Sequence, residues 1–375
     1  MKRTIAILLA LLLLFTLSAN ALADDAAALS FGDKDTFTVL QISDPQDDAY
    51  PAHELNRFLT EAIQATQPDF IILTGDIVED NRAGDLRSDA QPLKEGVFVK
   101  NDYEKTLANV KATCAAVFAP LEEYGKPYAV AMGNNDYKAK LKAEDWLAIF
   151  ASYPHCVTVD MSDDAQGHID TYFAVEAGGV PVCGLLALDN GQGFNDEQLN
   201  WLKNLPTGGV PCYAFEHIPL NEVGNLFEAC SVFDDGAILD DGKALRLNPA
   251  VASGYFEEGW LTIEPSEQFP VLKEKNTVGA FFGHLHTAGY TGVYDGMTLG
   301  LTYGCQFAKP APYGVRTVTI HKDDPSKVDT TLYTYKNGKF TRQVDKPYRT
   351  ASNPLINLYN LIAILYRTVS FKLKF

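Results

Sequence analysis

Positive charge is scarce in this chain. Its 375 residues carry 31 Lys+Arg against 48 Asp+Glu, a formal net charge of -17 at pH 7. No stretch gathers Lys and Arg into the basic stripe that holds phosphate backbones, which excludes a nucleic-acid surface. An anionic ligand would need local help from metal ions. Cysteine is sparse too: Cys114, Cys156, Cys183, Cys212, Cys230 and Cys305 are scattered without C-x-x-C spacing. That pattern argues against a thiolate metal cluster or a disulfide knot, and leaves buried thiols or one or two bridges open. Internal repeats and low-complexity tracts are absent. With 46% hydrophobic and 21% charged residues, the chain is neither disordered nor collagenous but an ordinary acidic globular protein.

The longest apolar run, Ile5 to Leu17, falls short of the ~20 residues of a bilayer span. Lys2 and Arg3 precede it and Ala21-Leu22-Ala23-Asp24 follows. Charged, greasy and then small is the order of a secretory signal peptide. Cleavage after Ala23, giving a secreted or extracytoplasmic protein, is expected ahead of a retained membrane helix.

Downstream, strand and helix patterns alternate. Phe37 to Ser43 reads as a buried strand, Ala52 to Thr66 as a helix and Asp69 to Thr74 as a second strand, a βαβ unit with a parallel pair. A helix is expected over Tyr103 to Tyr124, a strand over Pro127 to Met132 and a helix from Ala143 to about Tyr153. Strands follow at Tyr172 to Glu176, Pro181 to Leu188 and Val210 to Glu216. Between the last two lies a helix opened by Asn195, with Asp196 and Glu197 in its first turn. Val278 to Phe282, Tyr290 to Tyr294, Met297 to Tyr303, Val315 to His321 and Lys327 to Tyr335 complete a strand-rich second half. Two packed sheets with helices outside are implied. Ser231 to Glu274 lacks clear periodicity and reads as an irregular excursion.

Five short segments each follow an apolar strand, where α/β sheets place ligands: Ser43-Asp44-Pro45-Gln46, Gly75-Asp76, Gly133-Asn134-Asn135-Asp136, Glu216-His217-Ile218-Pro219 and Gly283-His284-Leu285-His286. Singly, each is more often a turn, a cap or a structural histidine. Together they supply carboxylate, amide and imidazole donors suited to Zn, Mn or Fe, enough for two ions. Two metals clamp the oxygens of an in-line phosphoryl displacement, so an acidic protein could process a phosphate ester this way.

The ordered set, from Phe37 to His321, resembles the calcineurin-like metallophosphoesterase superfamily. The segments Leu188-Asp189-Asn190-Gly191, Asp196 to Leu202 and Phe215 to Leu220 are similar to its inactive-purple-acid-phosphatase-like branch. The resemblance implies a four-layer α/β/β/α sandwich of two mixed sheets flanked by helices, spanning residues 32–345 between a signal peptide (1–23) and a C-terminal tail (350–375). It also implies two divalent or mixed-valence ions. Asp44 and His286 would hold the first, with Gln46 where the family has a histidine; Asp76 would bridge; Asn134, His217 and His284 would hold the second. A metal-bound hydroxide would attack a phosphate mono- or diester, while Asn134 and backbone amides of its loop hold the phosphoryl oxygens.

Two departures bear on activity. Gln46 is a weaker neutral donor than imidazole. Asn135 stands where the family has the histidine that protonates the leaving group, and an amide exchanges no proton near neutral pH, so a ~10²- to 10⁴-fold contribution is lost. Asp136, which orients that histidine in the family, is expected to bond Asn135 or a loop amide. A scaffold that binds metal or a phosphate ligand without turnover is the alternative function, and a surface protein without metal is a third.

Asp47, Asp48, Glu79 and Asp80 read as solvated loop acids. His53, His155, His168 and His321 read as surface or structural histidines, and Tyr303 and Tyr313 as packing residues. In the tail, Leu355, Leu358, Tyr359, Leu361, Ile362, Leu365 and Val369 recur at helical spacing, followed by Arg367, Lys372 and Lys374 among the last residues. This fits a helix packed back on its own domain or, as a peripheral membrane contact, an interfacial helix; the first is favoured because amphipathicity mostly serves packing.

Overall fold

The computed structural model describes residues 29–47, 53–79, 103–162, 164–240, 243–256, 266–307 and 312–343, with 358, 361, 362, 365 and 366 near the C-terminus. The signal-peptide reading and most of the tail lie outside these residues, as do Asp48 and Asp80.

Strands with both faces covered need apolar residues at odd and even positions alike. In the six-stranded sheet the spatial order is β17 (Lys339–Arg342), β16 (Asp329–Lys336), β15 (Tyr313–His321), β2 (Thr36–Ile42), β3 (Phe70–Thr74) and β4 (Tyr128–Ala131). β2, β3 and β4 run parallel, and β15 pairs antiparallel to β2. Alternate side chains sort into two cores, as the two-residue strand period requires. Leu40, Ile42, Ile71, Leu73, Tyr128 and Val130 face the helices α1 (His53–Thr66), α2 (Tyr103–Tyr124) and α4 (Ala143–Phe150), α3 being a short helix at Asn134–Lys138. Phe37, Val39, Phe70, Ile72, Ala129 and Ala131 face the other sheet.

That second sheet has eight strands in the order β1 (Leu29–Ser30), β5 (Thr171–Ala177), β6 (Val180–Ala187), β7 (Cys212–Glu216), β12 (Thr277–Phe282), β14 (Met297–Leu301), β13 (Gly289–Tyr294) and β11 (Ala252–Tyr255). Phe173, Val175, Leu185, Phe215 and Phe281 point between the sheets. The Phe70 and Phe173 rings meet there at 5.3 Å. Leu186, Ala214, Ala280 and Phe282 point outward, under Leu199 and Leu202 of α5 (Asp196–Asn204) and Phe269 and Leu272 of α6 (Gln268–Glu274). Two mixed sheets between helical layers make the expected four-layer α/β/β/α sandwich. Asn195 caps α5, accepting from Gln198 N at 2.8 Å, while the Gln198 side chain accepts from Asn195 N.

The expectation of an irregular stretch over Ser231 to Glu274 is corrected in part. β8 (Phe227–Ala229), β10 (Lys243–Leu247) and β9 (Ile238–Asp240) form a small antiparallel sheet, and β11 and α6 also fall in or at the end of this stretch. Its strands are three to five residues long, too short for periodicity to register. All six cysteines are free thiols. No described helix is long and apolar enough to cross a membrane. In the tail, the described Leu358, Ile362, Leu365 and Tyr366 are exposed.

Candidate metal centre

β2, β3 and β4 of one sheet and β7 and β12 of the other deliver their following loops to a common site. Backbone bonds lock these loops together: Asp44 N donates to Gly75 O and Gln46 N to Asp76 O. Asp44, Gln46, Asp76 and His284 all adopt left-handed backbone, with φ of 52°, 40°, 51° and 67°. L-residues seldom take up this conformation, and it clusters where a site must be held in shape. Space is equally tight. A Cβ on Gly283 would lie 1.7 Å from Ser43 Oγ and 2.8 Å from Asp44 Oδ2, and one on Gly133 would lie 2.4 Å from Asp76 Oδ1.

One half of the site is centred on His217. Its Nδ1 lies 2.9 Å from the Thr74 carbonyl oxygen, which can only accept, so Nδ1 carries hydrogen and Nε2 faces inward. Around that Nε2 stand Asn134 Oδ1 at 3.0 Å, His284 Nδ1 at 3.2 Å and Asp76 Oδ1 at 3.3 Å. Donor atoms bound to one ion at ~2.0–2.2 Å are spaced about this far apart. Asn134 is turned with its oxygen inward because its Nδ2 donates to Asn135 Oδ1 at 3.0 Å.

The other half contains Asp44, Gln46 and His286. Asp44 Oδ2 accepts from Ser43 Oγ and from His284 N, while Asp44 Oδ1 lies 3.3 Å from His286 Nε2. Gln46 Nε2 donates to Asp76 Oδ2 at 2.6 Å. Two buried acceptors, Asp44 Oδ1 and Gln46 Oε1, have no hydrogen-bond donor from the protein. Asp76 thus turns one oxygen to each half. Among the described residues, Asp44, Asp76 and His217 form a group able to hold a metal ion.

The electrostatics call for positive charge. Burial disfavours a charged His217, yet Asp76 and Asp44 outweigh it and raise its pKa to about 10. His284, buried beside His217, is pushed down to about 4. Burial also works against ionised Asp44, but His286 and His217 hold its carboxyl below the usual range. Orphaned oxygens and an inward imidazole nitrogen driven to take a proton, a place a cation can fill, fit divalent ions, and the O/N donor set suits Mn, Fe or Zn.

Around the donors lies a second layer. Asp136 accepts from Gly133 N at 2.9 Å and Val78 N at 3.1 Å, bracing two loops; burial and Asp76 raise its pKa to about 7. The expectation that amides of the Asn134 loop hold phosphoryl oxygens is corrected for two of them: Gly133 N is committed to Asp136, and Asn135 N to Asp76 Oδ1 at 2.7 Å. Asn135 Oδ1 accepts from Lys138 Nζ at 2.5 Å.

Asn190 and Glu216, which stand in quoted segments without an assigned role, support the site. The Asn190 side chain accepts from Ile218 N and donates to Ile218 O and Glu216 Oε2, clasping the His217 loop. Asp189 accepts from the Tyr137 hydroxyl, tying in α3. The segment Leu188-Asp189-Asn190-Gly191 was the available signal. Gly191 packs so closely that a Cβ would lie 2.7 Å from the Gly133 backbone.

Among the described side chains, the other histidines and tyrosines noted in the sequence have partners of their own outside the cluster. His155 pairs with Glu122, His168 with Asp164 and His321 with Asp329. Tyr303 is buried and donates to Gln343, and Tyr313 stacks on Phe307. The loops that carry Asp47 and Glu79 are joined by their backbones, Glu79 N donating to Asp47 O.

Comparison with known proteins finds distant similarities along most of the chain. A protein of Arabidopsis thaliana named Probable inactive purple acid phosphatase 28 is 24% identical over 323 residues, 72% of this chain and 70% of that one. Among solved structures, a dimetal phosphatase from Danio rerio is 14% identical with a TM-score of 0.47, covering 84% of this chain and 99% of its own. A 5'-nucleotidase from Candida albicans is 11% identical with a TM-score of 0.37, covering 92% of this chain and 59% of its own. The profile of the calcineurin-like phosphoesterases matches residues 37–288, a span that takes in all five loops, and the chain belongs to that family.

Proposed function

We propose that the chain is an exported, metal-dependent phosphoesterase that hydrolyses a phosphate mono- or diester at a two-ion centre. The convergence of Asp76, Asn134 and His284 within 3.0–3.3 Å of the inward-facing His217 Nε2 carries this reading. Asp44, Gln46, Asp76 and His286 would hold one ion; Asp76, Asn134, His217 and His284 the other. Such ions, when bound, would supply Lewis acidity and lower the pKa of water at the site.

The chain's own residues do the positioning. Thr74 O fixes the His217 tautomer, Asn135 turns the Asn134 oxygen inward, and Asp76 divides its two oxygens between the halves. Asn135 transfers no proton, so esters whose leaving oxygen departs without protonation are the best substrates. Export rests on the Lys2-Arg3, Ile5 to Leu17 and Ala21-Leu22-Ala23 order; N-terminal sequencing of the mature protein should begin at Asp24. The exposed Leu358, Ile362 and Leu365, with Arg367, Lys372 and Lys374 near them in sequence, support peripheral contact with anionic membranes, which vesicle sedimentation tests.

A second reading is favoured by Gln46 and Asn135: a scaffold that holds metal or a phosphate ligand without turnover. Elemental analysis of the purified protein, with hydrolysis of an aryl phosphate and its diester before and after chelation, separates the two. Two ions and chelator-sensitive turnover support the esterase. Absence of turnover after loading with Mn, Fe or Zn moves the assignment to the binder.

A further inference from the structure

The position that lacks an imidazole is not without a cation. Lys138 closes α3, one helical turn beyond Asn134 and Asn135, so that its side chain returns over the start of that turn. Its Nζ donates to Asn135 Oδ1 at 2.5 Å, and the same oxygen accepts from Asn134 Nδ2 at 3.0 Å. Asn134 in turn presents Oδ1 to His217 Nε2 at 3.0 Å. Two hydrogen bonds therefore separate an exposed ammonium from a donor of the metal centre. Asn135 is buried and Lys138 exposed, so the cation stands on the solvent side of Asn135. In a chain of net charge -17 an anion approaching the carboxylate-lined centre meets repulsion, and a fixed cation at the rim reverses it locally.

We propose that Lys138 binds the phosphoryl group of the substrate, with the Asn135 carbonyl holding its ammonium beside the centre. This deepens the phosphoesterase reading and rests on it for the identity of the anion. Asn135 then has a second use: an amide oxygen can hold a lysine and orient Asn134 at once, whereas a protonated imidazole would repel the ammonium.

The test uses the metal-loaded full chain and inorganic phosphate as the probe. Phosphate affinity is measured by calorimetry in the wild type, Lys138→Met, Lys138→Arg and the remote control Lys322→Met, whose ammonium pairs with Asp35 instead. Losing one charge-assisted hydrogen bond should weaken phosphate binding roughly 10- to 100-fold in Lys138→Met. Lys138→Arg should restore most of it, and metal content should stay at the wild-type value in every variant. Unchanged phosphate affinity in Lys138→Met, or a wild type that does not bind phosphate, overturns the proposal. So does a loss of bound metal in Lys138→Met that accounts for the weaker binding, since Lys138 would then act only by positioning Asn134. Ester turnover by the wild type is scored separately: phosphate binding that depends on Lys138, without hydrolysis of any ester, removes the esterase reading and leaves the anion site standing.

Discussion

Two buried polar clusters lie within the sandwich, and they keep opposite accounts of their hydrogen bonds. Arg316, fully buried on β15, places its five N–H groups on five acceptors. Nε donates to Thr302 Oγ1, Nη1 to Thr291 and Thr330 Oγ1, and Nη2 to the carbonyls of Tyr290 and Leu301, all at 2.7–3.0 Å. The Phe281 ring lies 5.5 Å from its guanidinium carbon. At the strand ends, by contrast, Asp44 Oδ1 and Gln46 Oε1 are buried without a donor, and the backbone sits in left-handed conformations. A saturated cluster specifies the fold, while a cluster with acceptors to spare is shaped for something it does not itself contain.

This contrast can be broken from either side. Asp76→Asn should reduce ester turnover by on the order of 10³-fold or more, because it removes the carboxylate shared by both halves. The metal-free protein should melt no lower than the wild type, which calorimetry checks. Arg316→Ala should do the reverse, lowering stability in urea by about 3–5 kcal/mol through orphaned acceptors and a cavity, with the metal content of the folded fraction preserved.

Between these extremes sits Asn190. Asn190→Ala frees the His217 loop and should weaken metal affinity or activity about 10- to 100-fold, measured by metal titration.

An effect of pH sharpens the comparison at a buried carboxyl outside both clusters. Burial and Asp189 raise the pKa of Asp170 to about 8, although its oxygens accept from Asp189 N and Gln198 Nε2. A raised folded pKa means that this contribution is fully present below the unfolded value of ~3.9 and is lost as pH rises through about 8. Stability should therefore fall with pH across that window by at most ~1.4 kcal/mol per pH unit from this group. Urea midpoints in the wild type should show that slope, and Asp170→Asn should flatten it.

How much of this was legible in the sequence follows from the same physics. β2, β3, β7 and β12 announced themselves because strands buried on both faces are continuous apolar runs, and the loops after them stood out by position. Their donors could be gathered into one set from the residues; the division into two ions came from the family resemblance. Arg316 was invisible: it sits in a strand read correctly, but its five acceptors come from β13, β14, the loop after β14 and β16, which no local pattern links. The α3 turn is five residues long, too short for a helical period, so Lys138 could not be placed over Asn135. Asn190 appeared within a motif, but its clasp on Ile218 needs β6 and β7 side by side.

The order of the six-stranded sheet has a consequence for biosynthesis. β2, which leads to Asp44, gains its antiparallel neighbour only when β15 has been made, and His284 and His286 also belong to the last third of the chain. At ~5–20 residues per second, the ribosome needs on the order of tens of seconds to travel from Asp44 to β15. During that time the first three loops exist without the partners that complete their half-sites. A metal ion would therefore meet its full set of donors only once His284, His286 and β15 have been made and have packed against the earlier strands.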